Sequence, residues 1–78
     1  MWHKCKDGMP KKDGLYFTAT KIGAHVFYCV NAYWNDLGDT NILIDYKGES
    51  GFVDSDPDWG LFVLDRVDAW QEIEEYKG

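Results

Sequence analysis

The feature that most constrains this chain is residues 14–34, "GLYFTATKIGAHVFYCVNAYW". Leu15, Phe17 and Ala19 alternate with Tyr16, Thr18 and Thr20 in β-branched and aromatic company, which predicts a strand. Ile22-Gly23-Ala24 then supplies a tight connection. Beyond it, Val26, Tyr28, Val30, Ala32 and Trp34 occupy one face of a second strand and Phe27, Cys29, Asn31 and Tyr33 the other. A chain that opens with such a hairpin needs further strands to cover it, because a lone two-stranded ribbon is marginal in water.

The remaining segments supply those strands in shorter pieces. "NDLGDTN" at 35–41 has the Asn, Asp and Gly of a loop. "ILIDY" reads as a third short strand, "KGESG" as a turn, and Phe52-Val53 as a brief pairing segment. "LFVLDRVDAW" resumes an apolar pattern that Asp65-Arg66 interrupts, with a strand expected over Val67 to Trp70. The last residues fit a short helical turn as well as a strand. The reading is one domain over residues 1–78, mainly β with β-rich α+β as the variant, built as an antiparallel sheet of three to five strands. Trp2, Tyr16, Tyr28, Val30, Trp34, Ile42, Val67 and Trp70 are its core candidates.

Composition matters here in two ways. In 78 residues there are four Trp, five Tyr and four Phe, so a small core gains large buried area from few positions. The net charge of −6 is also uneven. Residues 1–21 hold five lysines against Asp7 and Asp13, residues 22–35 carry no formal charge, and residues 36–78 hold twelve acids against Lys47, Arg66 and Lys77. The acidic half repels nucleic acid and favours basic partners. No apolar run reaches membrane-spanning length and Met1 leads into polar residues, so the expectation is a cytoplasmic protein without a membrane partner. Cys5 and Cys29 follow neither a disulfide framework nor a redox motif and are read as free thiols.

Trp2, then Met9-Pro10, then "KDGLYFTAT", then "VDAW" at 67–70 stand in an order that resembles a family of small phage and prophage proteins catalogued as domain of unknown function 551. The resemblance spans nearly the whole chain. Family members carry a Pro-rich tail after the closing Trp, where this chain has "QEIEEYKG", and "DSDPDWG" at 54–60 has no counterpart in the family pattern. The resemblance implies a phage accessory protein in a bacterial host cell and implies no biochemical activity. On physical grounds the shared tryptophans read as structural, with Trp2 and Trp70 expected as partners across one sheet face.

Four constellations bear on chemistry. Asp54, Asp56, Asp58 and Asp65 occupy positions 1, 3, 5 and 12 of a calcium-loop spacing, but Trp59 stands where the loop needs glycine and no flanking helices are expected. The plainer alternative is a solvated turn with Trp59 folded back on the sheet. His3, Cys5, His25 and Cys29 are zinc-ligand types outside any standard spacing. Lys4, Lys6, Lys11 and Lys12 near Tyr16 and Trp2 form the elements of a weak single-strand nucleic-acid platform, which the overall charge opposes. No nucleophile, base and orienting group form a catalytic pattern, and no cofactor is expected.

The expectation is a non-catalytic protein that binds a host or phage protein with a basic surface, without direct nucleic-acid contact, beside the equally weighted reading of an acidic face that serves solubility alone. Asp54, Asp56, Asp58, Trp59, Asp65 and Asp68 are the candidate partner-binding residues, an aromatic anchor within an acidic rim. Its most concrete form is an inhibitor of a host defence or nucleic-acid-processing protein, of the anti-CRISPR or DNA-mimic type. A structural domain with a calcium or zinc loop, or a weak single-strand binder, is the alternative.

Overall fold

A computed structural model describes residues 1–74. The chain forms a six-stranded sheet in which every pairing is antiparallel: β1 (His3–Lys4), β2 (Gly14–Ile22), β3 (His25–Trp34), β4 (Gly51–Asp56), β5 (Gly60–Val63) and β6 (Ala69–Glu72). The spatial order is β1-β6-β2-β3-β4-β5. The mainly-β class expected from the alternation is the class observed, with one strand more than the upper expectation. One strand that was not expected comes from the N-terminus, where His3 pairs with Trp70 and Lys4 with Ala69. No helical turn follows β6 among the described residues, and residues 75–78, where part of that expectation falls, lie outside them.

The β2–β3 hairpin forms as its sequence dictates. Gly23 takes φ 62° at the tip while Ala24 keeps a negative φ, matching a two-residue turn that wants glycine first. Its register runs without a break from Ile22 opposite His25 to Gly14 opposite Tyr33. β6 pairs only with Tyr16 through Ala19 of β2, and β4 only with Ala32 through Trp34 of β3. The outer half of the hairpin thus projects past its neighbours on both sides.

Residues opposed across an antiparallel pair share a face, so one face collects Tyr16, Tyr33, Phe52 and Trp70. These rings meet edge to face, Tyr16 and Trp70 with centroids 5.3 Å apart and Tyr33 and Phe52 5.1 Å apart, the arrangement that the ring quadrupole favours. Cys5, Leu64 and Val67, from the connections that cross this face, close the cluster. Beside it a buried polar pair is satisfied internally: Thr18 Oγ1 donates to Asn31 Oδ1 at 2.6 Å, and Asn31 Nδ2 donates to the Val53 carbonyl at 3.4 Å. On the opposite face Ala19, Gly51 and Val53 are buried, with Leu37 packed against Gly51.

Several core expectations are corrected. Tyr28, Val30 and Ile42 are exposed, Trp2 is partly exposed, and Trp34 and Val67 are half-buried. In β3 the buried face is that of Asn31 and Tyr33, opposite to the expected one, because the connections through Cys5 and Leu64–Val67 cross that side. Trp2 packs on Tyr28 with centroids 5.9 Å apart, while it is His3 that stacks on Trp70 at 4.4 Å. The two ends of the chain are held together as expected, through a different pair of rings. The closing strand starts at Ala69, two residues later than expected, and Asp68 just before it donates its N–H to the Ala19 carbonyl.

"ILIDY" is not a strand. Asn41 sits in the left-handed region at φ 65°, and Ile44–Tyr46 forms a 3₁₀ turn. Local bonds replace ladder pairing: Tyr46 N–H donates to the Leu43 carbonyl, and Leu43 N–H to Thr40 Oγ1 at 2.9 Å. Asp36 Oδ1 accepts from both Gly38 N–H (2.9 Å) and Gly48 N–H (2.8 Å), clasping the loop at its two ends.

Candidate functional site

The β4–β5 hairpin carries four of the six residues expected to meet a partner. Pro57-Asp58-Trp59 forms its loop, with Asp56 opposite Gly60 and Gly60 at φ 80°. Gly60, the first residue after the loop, supplies the left-handed conformation with which such hairpins commonly return to the strand. Asp56 Oδ1 stabilises it by accepting from Asp58 N–H at 2.8 Å and Trp59 N–H at 3.2 Å, as aspartate does in turns. Asp54 Oδ1 accepts from Ser55 N–H at 2.8 Å. Trp59 does not fold back onto the sheet: it is 87% exposed at the tip. Asp58 and Asp54 are exposed beside it.

The other two residues lie elsewhere. Asp65 follows the far end of β5, away from the tip. Asp68 has a structural role beside β2: Oδ2 accepts from Lys21 N–H at 2.6 Å and Oδ1 from Arg66 Nε at 3.1 Å. The Lys21 N–H, followed by the Arg66 side chain, holds its carboxyl below the ordinary aspartate range. The candidate surface is therefore Asp54, Asp56, Asp58 and Trp59, with Asp65 and Asp68 outside it. Among the described residues, Arg66 is ion-paired with Asp68 and His3 lies against Glu72, and neither contact involves the tip aspartates.

The hairpin also bears on the calcium spacing. Residues 54–63 are drawn into two strands, with Asp54 opposite Phe62, so the aspartates do not wrap a common centre. Among the described residues no group of three or more His, Cys, Asp or Glu side chains is placed to hold a metal ion, and the four zinc-type residues are likewise dispersed. Cys5 is half-buried, and burial, with Asp68 adding to it, pushes its thiol up and away from the reactive thiolate.

A second feature was only partly legible in the sequence. Lys4, Lys11 and Lys12 line a cleft of about 740 Å³ with Trp2, Tyr16 and Trp70, and Lys6, expected with them, is not among the lining residues. Asp7, His3 and Glu72 complete its polar lining. His3 Nε2 lies 3.1 Å from Glu72 Oε2. Glu72's own backbone N–H and then the His3 ring hold its carboxyl below the ordinary range. Desolvation, reinforced by Glu72 and Asp13, pushes the Tyr16 phenol up. Its hydroxyl donates to the Lys12 carbonyl at 2.8 Å, which ties the backbone of the lysine pair to the ring. The sequence signal was the lysine cluster near aromatics; His3 and Glu72 enter only through the pairing of β1 and β2 with β6. Chemically, the cleft offers aromatic surface and ammonium groups to an anion.

No family model matches the chain, and no solved structure matches it. A stretch of 47 residues is 36% identical to a glucan endo-1,3-beta-glucosidase of Triticum aestivum, over 60% of this chain and 10% of that enzyme. The match thus spans about a tenth of that relative's length. Among the described residues no helix is long and apolar enough to cross a membrane.

Proposed function

We propose that this chain is a non-catalytic accessory protein that binds a basic surface on another protein through the tip of its β4–β5 hairpin. The observation that carries the reading is Trp59, 87% exposed between Asp58 and the Asp54–Asp56 arm, whose carboxylates have no cationic partner among the described residues. A large aromatic at the centre of an unneutralised acidic rim has the composition of an interface hot spot, with the charges steering encounter and the ring supplying contact. The resemblance of Trp2, Met9-Pro10, "KDGLYFTAT" and "VDAW" to the phage family supports a phage or prophage setting and a cytoplasmic location in a bacterial host. An inhibitor of a defence or nucleic-acid-processing protein is the concrete form, since such targets present basic grooves.

Glu72, its carboxyl held below the ordinary range, is not tuned as a general acid, which needs a raised pKa. The similarity to the wheat glucosidase covers too little of that enzyme to transfer its reaction.

The test is capture from bacterial lysate by the wild type beside two variants: Asp54, Asp56 and Asp58 changed together to Asn, and Trp59→Ala. Asn keeps the acceptor oxygen that the Asp56 turn requires, so the charge is removed without the hairpin. A basic protein held at low salt by the wild type and released by both variants is the expected result. Equal capture by all three moves the function to another face.

The cleft favours a second reading, a weak single-strand nucleic-acid binder, because three lysines converge there on Trp2 and Tyr16. Retention of a single-stranded oligonucleotide at low salt, lost in Lys11→Ala/Lys12→Ala, would favour it over the acidic hairpin.

A further inference from the structure

β4 leaves β3 after pairing Ala32 with Val53, and every residue of β3 from His25 to Val30 is exposed. The direction of the backbone groups follows from the turn. A two-residue connection makes Ile22 and His25 a hydrogen-bonded pair, and the alternation of an antiparallel ladder then makes Lys21–Val26, Ala19–Tyr28 and Phe17–Val30 non-hydrogen-bonded pairs. The residues of those pairs turn N–H and C=O away from the hairpin. On the β2 side Lys21 obeys this, its N–H reaching Asp68 at 2.6 Å. On the β3 side Ala32 obeys it by pairing with β4, while Val26, Tyr28 and Val30 present outward groups that no strand meets among the described residues.

The side chains on this edge are as unusual as its backbone. Val26, Phe27, Tyr28 and Val30 are 44%, 54%, 67% and 51% exposed, apolar on both faces of one strand. Edge strands are ordinarily blunted by charge, proline or a bulge. Here residues 22–35 carry no formal charge in a chain of net −6.

We propose that this edge pairs with the same edge of a second copy, joining two sheets into one across a two-fold axis. The neutral stretch is where two acidic chains meet without opposing like charges, and an antiparallel strand edge is self-complementary under two-fold symmetry. β4 occupies the edge from Ala32 onward and limits the register. An axis at Phe27 keeps each hairpin tip clear of that point. It sets Phe27 beside its own equivalent on one face and Val26 opposite Tyr28 of the other copy on the other face, with the outward N–H and C=O of both residues exchanged. Pairing of this extent buries strand backbone and four large side chains per copy, on the order of the 1,000 Å² total at which specific interfaces begin.

The test is sedimentation equilibrium of wild type, Tyr28→Pro and Tyr28→Lys over a concentration series, with thermal unfolding of each. Tyr28→Pro deletes an outward N–H and spares the β2–β3 ladder, and Tyr28→Lys places an edge charge without touching the backbone. The expected result is a concentration-dependent mass of twice the chain for the wild type and a single-chain mass for both variants. Should Tyr28→Pro fail to fold, Tyr28→Lys alone decides. A wild type that stays monomeric, one that grows beyond two copies, or a dimer that survives in Tyr28→Lys overturns the proposal.

Discussion

Thr18 and Asn31 show how one residue type decides a local outcome. They are diagonal neighbours on one face of the β2–β3 pair, both buried, and Thr18 Oγ1 donates to Asn31 Oδ1 at 2.6 Å. Thr18→Val keeps the shape and strands the Asn31 oxygen, so chemical denaturation is expected to show a loss of about 1–3 kcal/mol. Asp68 makes a prediction in pH. Its folded pKa is depressed below the ordinary aspartate range by the Lys21 N–H and the Arg66 side chain, so its contribution to stability is complete above the unfolded value and is lost as pH falls through the lower folded value. Unfolding midpoints measured from neutral pH down into that acid range should fall less steeply for Asp68→Asn than for the wild type. The same two residues mark what was legible at this scale. Nothing in "VDAW" distinguishes an aspartate bonded to Lys21 N–H from one facing a partner, whereas Asp56 in "DPDWG" was recognisable as a turn aspartate from its neighbours alone.

Among the elements, those with local causes were legible and those with distant causes were not. The β2–β3 hairpin carries its alternation and its turn glycine within one stretch, and β4–β5 carries Asp, Pro and Gly in turn order. "ILIDY" has the composition of a strand but no edge to join, and the clasp at Asp36 folds it into a loop. Asp36→Ala removes the acceptor for two backbone N–H groups, and a loss of about 1–2 kcal/mol with increased proteolysis between residues 36 and 48 is expected. Gly38 shows how tight that loop is, since a Cβ there would come within 2.8 Å of Lys47 Cα. At the acidic tip, Trp59→Ala should change the unfolding midpoint by no more than about 0.5 kcal/mol, because so exposed a ring contributes little to the fold. An unchanged fold with lost binding would assign the ring to a partner.

For the molecule as a whole, the aromatic cluster of Tyr33, Phe52, Trp70 and Tyr16 bears much of the stability. A 78-residue domain has roughly 4–12 kcal/mol in total. Phe52→Ala, which empties a buried site between β3 and the crossing connection, is expected to remove about 3–5 kcal/mol and to unfold a large fraction of the protein near ambient temperature, as circular dichroism would read. The sequence by itself determined the β class, the long hairpin, the acidic turn and the split of charge, because alternation and turn chemistry act over a few neighbouring residues. Only the tertiary structure decided which face of β3 is buried, that His3 rather than Trp2 covers Trp70, that three lysines share a cleft with Glu72, and that β3 is left with an open edge. Alternation names two faces and cannot say which is covered, since that depends on where the Leu64–Val67 connection crosses and where β4 turns away.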